Sequence, residues 1–330
     1  MKSKMLRRLG LALAAAGALV TAQVHAQEKP ADFPQRPINL VVVYPAGGAV
    51  DVTARTFAQI AEEKMGVDIR VENRVGGAGM VGHTSLAKNT EADGYTVGVL
   101  ANPFLYTDIL LKGAPFTIEE FEPINEISFD PVVWVVNAKS DIGSMSFDEI
   151  VDHAKSTQLQ VGMNPNSVFL FVSEFIERAK ELEFNFIPFD GGKQGVVALL
   201  AGDVDATASF YSEIDQYVQS GDLKPVAVTG DKRHPMLPDT PTLSELGVPA
   251  GGQAWGATRI FTLPAGVPED RKAYLEDAFL KVLESDEAKK AFEEAGLTLA
   301  PTGAEAAQKQ YQESFETLKT FLAETGRIPQ

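Results

Sequence analysis

The sequence predicts an α/β fold of two lobes, each a mainly parallel sheet with flanking helices. Two observations carry that expectation. Short β-rich runs alternate with helically striped segments along most of the chain, the pattern of parallel sheets covered by helices on both faces. A strand–Gly-Gly–helix unit also occurs twice, at Gly47-Gly48 and at Gly191-Gly192, once in each half.

The opening residues read as a leader rather than as fold. Lys2, Lys4, Arg7 and Arg8 precede an apolar stretch from Leu9 to Val20, and Val24-His25-Ala26 resembles a small-residue cleavage site. Cleavage after Ala26 and export to the periplasm are the expectation. That apolar stretch falls short of the about 20 residues a membrane helix needs, so a soluble protein is expected. There is no cysteine, which excludes a lipid-modified N-terminal Cys and disulfides. Stability must come from buried apolar surface, which 45% hydrophobic residues can supply. With 29 Lys+Arg against 45 Asp+Glu the chain carries −16 at pH 7, a balance that repels nucleic acid and anionic lipid.

The elements follow in order. INLVVV (38–43) reads as a strand, followed by a helix in which Phe57, Ile60, Ala61 and Met65 recur at helical spacing. VDIRVE (67–72), a glycine loop, a short helix to about Lys88 and YTVGVLA (95–101) complete the first series. PVVWVV (131–136) starts the second, and Ser146 with Glu149 reads as a capping box opening a helix. LQVGM (159–163) precedes an apolar helix from about Ser167 to Leu182. FNFIPF (184–189), a helix ending near Ala201, VDATASF (204–210), a short helix and PVAVTG (225–230) follow. The Pro- and Gly-rich stretch 231–252 reads as irregular and the last 60 residues as helical. There Leu275, Phe279, Val282 and Leu283 form one stripe, and Thr302 with Glu305 a second capping box. Residues 27–129 with 256–330 are expected to form lobe 1 and residues 130–255 lobe 2, with Trp134 and Trp255 near the crossovers.

Gly47-Gly48 lies at the carboxyl end of a strand, where ligands gather in open α/β sheets, and at a helix N-terminus, which attracts anions. Asp51 is expected to cap that helix, and a plain tight turn remains the alternative to a ligand loop. Gly77 to Gly82 spells G-x-G-x-x-G, yet Val97 to Thr107 holds no acid for a ribose, so a close-approach turn is expected there. His83, His153 and His234 show no metal-ligand spacing, and there is no G-x-S-x-G elbow. Glu62-Glu63 and Glu119-Glu120 read as solvated faces, and Asp203 and Asp205 are too sparse for a calcium loop. No catalytic residue, metal or cofactor is expected.

YPAGGAVDVTAR (44–55), VENRVGGAGMVG (71–82), ADGYTV (92–97) and PDTPTLSELG (238–247) together resemble the Bug family (TctC-like) of extracytoplasmic solute receptors of tripartite tricarboxylate transporters. The resemblance implies a two-lobed, type II-like periplasmic binding protein that closes like a Venus flytrap. It implies a ligand among small organic acids: di- or tricarboxylates, acidic amino acids or aromatic carboxylates. It also implies delivery to a large and a small membrane subunit, and we expect the receptor to be a monomer. Its ligand loops fall on Tyr44, Ala46, Gly47, Gly48 and Asp51, and on Gly79 and Met80. In the second half they fall on Asn164, Asn166, Ser167 and Val168, on Phe189, Asp190 and Gly191, and on Ser209. Asn102, Asn164 and Asn166 are candidate side-chain donors. Three departures stand out: Asn164-Pro165-Asn166 in a loop usually rich in Gly and Ser, Phe189 in place of the commoner tyrosine, and Asp190 where a small or basic residue is frequent. A receptor feeding a membrane sensor kinase, or a periplasmic enzyme, would be the competing readings.

Overall fold

The computed structural model describes residues 29–329 apart from Asn166, Asp190 and Gly191. The expected leader and its cleavage point lie outside the described residues. The first half builds β1 (Ile38–Val42), α1 (Ala49–Met65), β2 (Ile69–Asn73), α2 (Met80–Asn89), β3 (Thr96–Asn102) and α3 (Phe104–Lys112). β1 pairs in parallel with both β2 and β3. Its Leu40, Val41 and Val42 are all buried, as a strand covered on both faces requires. α1 supplies one cover through Ala54, Phe57, Ala58 and Ala61.

β4 (Phe121–Asn137) is 17 residues long and belongs to two sheets. From Phe121 to Pro131 it pairs antiparallel with β9 (Gly256–Pro264), and from Val132 onward with β7 (Ala206–Phe210) and β8 (Leu223–Val228). Between them lie α4 (Phe147–Ala154), β5 (Gln160–Met163), α5 (Val168–Lys180), β6 (Asn185–Pro188), α6 (Gly192–Ala201) and α7 (Tyr211–Gln219). α8 (Glu269–Leu283), α9 (Asp286–Glu294) and α10 (Ala304–Glu324) end the chain. The strand order is β2-β1-β3-β9-β4-β7-β5-β6, with β8 on β4. Each sheet is therefore mixed: three parallel strands plus antiparallel partners at the shared strand.

Neither β9 nor the first half of β4 is foreseen in the sequence. The second capping box does not form: Gly303 is the N-cap of α10, the Thr302 hydroxyl is buried with no partner among the described residues, and Glu276 takes the Ala304 N–H. Trp134 lies two residues past the change of partners, and its ring packs on Phe147 and Phe184 inside the second core. The Ser146–Glu149 capping box does form.

α10 touches both halves. Tyr311 and Phe315 pack on Tyr106 of α3, while Phe321 packs on Phe171 and Phe175 of α5. Arg327 just beyond it pairs with Glu174 of α5.

Candidate functional site

Strand direction decides where the loops lie. β9 runs antiparallel to both β3 and β4, so β1, β2 and β3 run the same way as β4. The downstream half of β4 enters the second sheet, so the carboxyl ends of β1–β3 point toward that sheet. β7 opposes β4, and β5 and β6 run parallel to β7, so their carboxyl ends point back. Register places both ends at one junction: Asn102 aligns with Thr258, which aligns with Phe129, and Phe210 aligns with Val132.

On the first side, Gly48 caps α1 and the Gly48 N–H bonds Pro45 O at 3.3 Å. Gly47 has φ +77°, a conformation that suits glycine, and its N–H donates to Asp51 Oδ2 at 2.8 Å. Asp51 therefore takes a loop donor from the third helical position rather than capping the helix itself. It is 2% exposed, and both its oxygens are engaged: Oδ2 also accepts Arg55 Nε at 2.9 Å, and Oδ1 accepts Asn73 Nδ2 at 2.8 Å. Burial alone would raise this carboxyl's pKa. The hydrogen bonds from Arg55, Gly47 and Asn73 and the Arg55 charge outweigh it and hold the group below the usual range. Asn73, which sequence reading passed over, also donates to Tyr44 O at 3.1 Å and so ties the two loops together.

The second loop carries positive φ at four successive residues, Gly76 to Gly79. At Gly82 a Cβ would come within 2.5 Å of the Val43 side chain and 2.6 Å of Arg74 O, so helix and strand need glycine to approach this closely. Gly79 is buried at φ +108°, which disfavours any side chain, and a Cβ there would press on His83 Cε1 at 3.1 Å and Tyr44 Cε1 at 3.3 Å. Met80 opens α2 and is half-buried. His83 itself is fully buried, with Nδ1 2.9 Å from Asp108 Oδ2, and Lys112 holds the other Asp108 oxygen at 2.7 Å. Nothing in its sequence spacing marks His83, because its partner lies 25 residues away on α3. Tyr44 is half-buried with its ring edge-on to His83 and Phe104; burial and then the Asp108 charge push its hydroxyl pKa up. Asn102 is buried at the end of β3, and its Oδ1 has no partner among the described residues. Ala46 is exposed at the tip of the first loop.

On the second side the named polar side chains largely serve the loops themselves. Asn164 Nδ2 donates to Phe189 O at 3.2 Å, and the Phe189 N–H donates to Met163 O at 2.8 Å. Ser167, the N-cap of α5, donates its hydroxyl to Asn164 O at 2.6 Å instead of accepting from the helix. Val168 is buried, and Phe189 packs near Gly162. Ser209 is buried and donates to Glu213 Oε2 at 2.6 Å. Glu213, on the first turn of α7, is a second residue that sequence reading missed. Asn166, Asp190 and Gly191 lie outside the described residues.

The arrangement offers helix starts and strand ends from both sheets facing one junction. Among the described residues there is no cluster of three or more His, Cys, Asp or Glu that could hold a metal ion. No helix among them is long and apolar enough to cross a membrane.

A family model described as the tripartite tricarboxylate transporter family receptor matches residues 53–326. A protein of the UPF0065 group from the gbd 5' region of Cupriavidus necator is 31% identical over 84% of this chain and 83% of its own. BugT of Bordetella pertussis is 29% identical over 75% of each chain. Among solved structures, a TctC solute-binding protein from Polaromonas superposes with a TM-score of 0.79 at 26% identity, over 88% of this chain and 99% of that one. Two Rhodopseudomonas palustris proteins share the fold: Rpa4515 with adipate (TM-score 0.72, 24% identity, 90% of this chain and 99% of that one) and MatC with bound malate (0.67, 23%, 88% and 100%). The fold is thus the two-lobed α/β fold of periplasmic binding proteins.

Proposed function

Because the chain belongs to the tripartite tricarboxylate transporter receptor family, we propose that it is a periplasmic receptor. In this reading it captures a small organic acid between its two sheets and delivers it to the membrane subunits of a tripartite tricarboxylate transporter. The observation that carries the reading is the opposition of the two sets of parallel-strand carboxyl ends, each followed by loops that open helices. A helix start presents N–H groups that no intrahelical carbonyl reaches, together with partial positive charge, so it holds a carboxylate without a basic side chain. Ala49 and Val50 supply such groups at α1. The backbones of Ala46, Gly48, Gly79 and Met80 and the side chains of Tyr44 and Asn102 line the first half of the cleft. Val168 and Phe189 line the second. Asp51, Asn164, Ser167 and Ser209 shape the loops from behind. Malate and adipate, bound by two proteins of the same fold, support an acid as cargo.

The mechanism is closure. β4 and the 229–256 segment connect the sheets, and a ligand that contacts both favours the closed arrangement by its differential affinity. The test is a melting-temperature panel on protein unfolded and refolded to remove carried ligand. Dicarboxylates, tricarboxylates, amino acids, aromatic acids and neutral amides are each supplied at millimolar concentration. Ligand at 100 times its Kd stabilises by about 2.7 kcal/mol, a rise of several degrees. A rise confined to one group of acids is the expected result. A flat panel from folded protein would overturn the reading.

A further inference from the structure

The second side of the junction carries a charge that the family resemblance does not imply. Glu213 reaches back from the first turn of α7, and its Oε2 accepts the Ser209 hydroxyl at 2.6 Å. The same oxygen lies against Gly192, the first residue of α6: a Cβ there would stand 2.6 Å from Oε2 and 3.4 Å from the carboxyl carbon. Phe169, on the first turn of α5, approaches the same point at 3.2 Å and packs edge-on against Phe210 with ring centroids 4.9 Å apart. The carboxylate is therefore half-buried among the starts of α5, α6 and α7, beside two phenyl rings, at the carboxyl edge of β5–β7. Lys193, the next basic residue on α6, is exposed.

An incoming carboxylate would compete with Glu213 for the donors at this edge and meet its charge at close range. A hydrogen-bond donor, above all an ammonium group, would find an acceptor fixed in place. Building on the organic-acid reading above, we infer that Glu213 sets ligand specificity. The ligand presents a carboxylate to the glycine loops of the first sheet and an ammonium or other hydrogen-bond donor to Glu213. The ligand class is then an amino acid or hydroxy acid with one carboxylate, rather than a simple dicarboxylate.

Calorimetric titration of the refolded full chain tests this with length-matched pairs. Succinate is compared with β-alanine, glutarate with 4-aminobutyrate, and adipate with 6-aminohexanoate; 4-hydroxybutyrate serves as a neutral donor. The expected result is a preference of at least tenfold for the amino member of the best-fitting pair, cut at least tenfold in Glu213→Gln. A wild-type protein that binds the diacid as tightly as its amino counterpart overturns the inference, whether or not the Gln variant folds. An unchanged ratio in a folded Glu213→Gln does the same. If neither member of any pair binds at millimolar concentration and the wider acid panel is also flat, the organic-acid reading falls with it. Diacid binding alone overturns only the specificity.

Discussion

Asp51 shows how a charged side chain at the edge of a cleft can be committed to architecture. With both oxygens occupied by Gly47, Arg55 and Asn73, it fixes the turn that presents Ala46 and Gly48. Its depressed pKa stabilises the folded state above the unfolded value of about 3.9, and that contribution is lost as pH falls through the lower folded value. Asp51→Asn replaces an acceptor with an amide that turns a donor toward other donors. It is expected to cost about 1–3 kcal/mol at pH 7, with the gap in melting temperature narrowing below about pH 4. A gap independent of pH would show that the charge contributes nothing. The glycines of these loops were legible in the sequence because positive φ and close approach leave few other choices. The partners of the polar side chains were not: that Ser209 serves Glu213, or that Asn164 serves Phe189, depends on how separate segments meet.

At the scale of the element, β4 has the most consequence. Glu126, 2% exposed in its first half, accepts Gln253 Nε2 at 2.8 Å, and so links the strand to the segment that crosses back. Burial raises its pKa to about 7, with the Gln253 bond acting the other way. The folded protein therefore binds one more proton than the unfolded chain between about pH 4.3 and 7, and stability falls as pH rises through that window. Lowering the pH from 8 to 5 is expected to gain wild type about 2–3 kcal/mol relative to Glu126→Gln. Parallel melting curves of the two proteins across that range would contradict it. The same strand explains why part of the fold escaped sequence reading. Its first half carries Pro123, Glu126 and Asp130 and shifts register twice, which breaks the β signal. β9 is buried at every position yet contains Arg259, whose charge is met by Asp130 and whose Nη1 donates to Ser128. A cation in a central strand hides that strand until its partners are known. β1, β3, β5 and β7, uninterrupted or bounded by glycine, were legible throughout.

At the scale of the molecule, the two halves are joined by β4, by the 229–256 crossover and by α10. Trp255 sits among all three, its ring 5.0 Å from that of Phe175 on α5 and 5.1 Å from that of Phe321 on α10. Closure is expected to change Trp255 emission and to leave Trp134, sealed in the second core, unaffected. Trp255→Phe should abolish a ligand-induced change that Trp134→Phe preserves; the reverse pattern would place the motion elsewhere. One consequence concerns how the chain reaches this state. β9 lies between β3 and β4, yet the ribosome makes it more than a hundred residues later. Until then β3 and β4 have no strand between them, while β5 to β8 already have everything they need to pair. Assembly is thus vectorially inverted: the second-made sheet can form first, and the first-made sheet waits for a late strand to slot between two open edges. Such non-local closure is slow and leaves strand edges available to other chains until β9 docks.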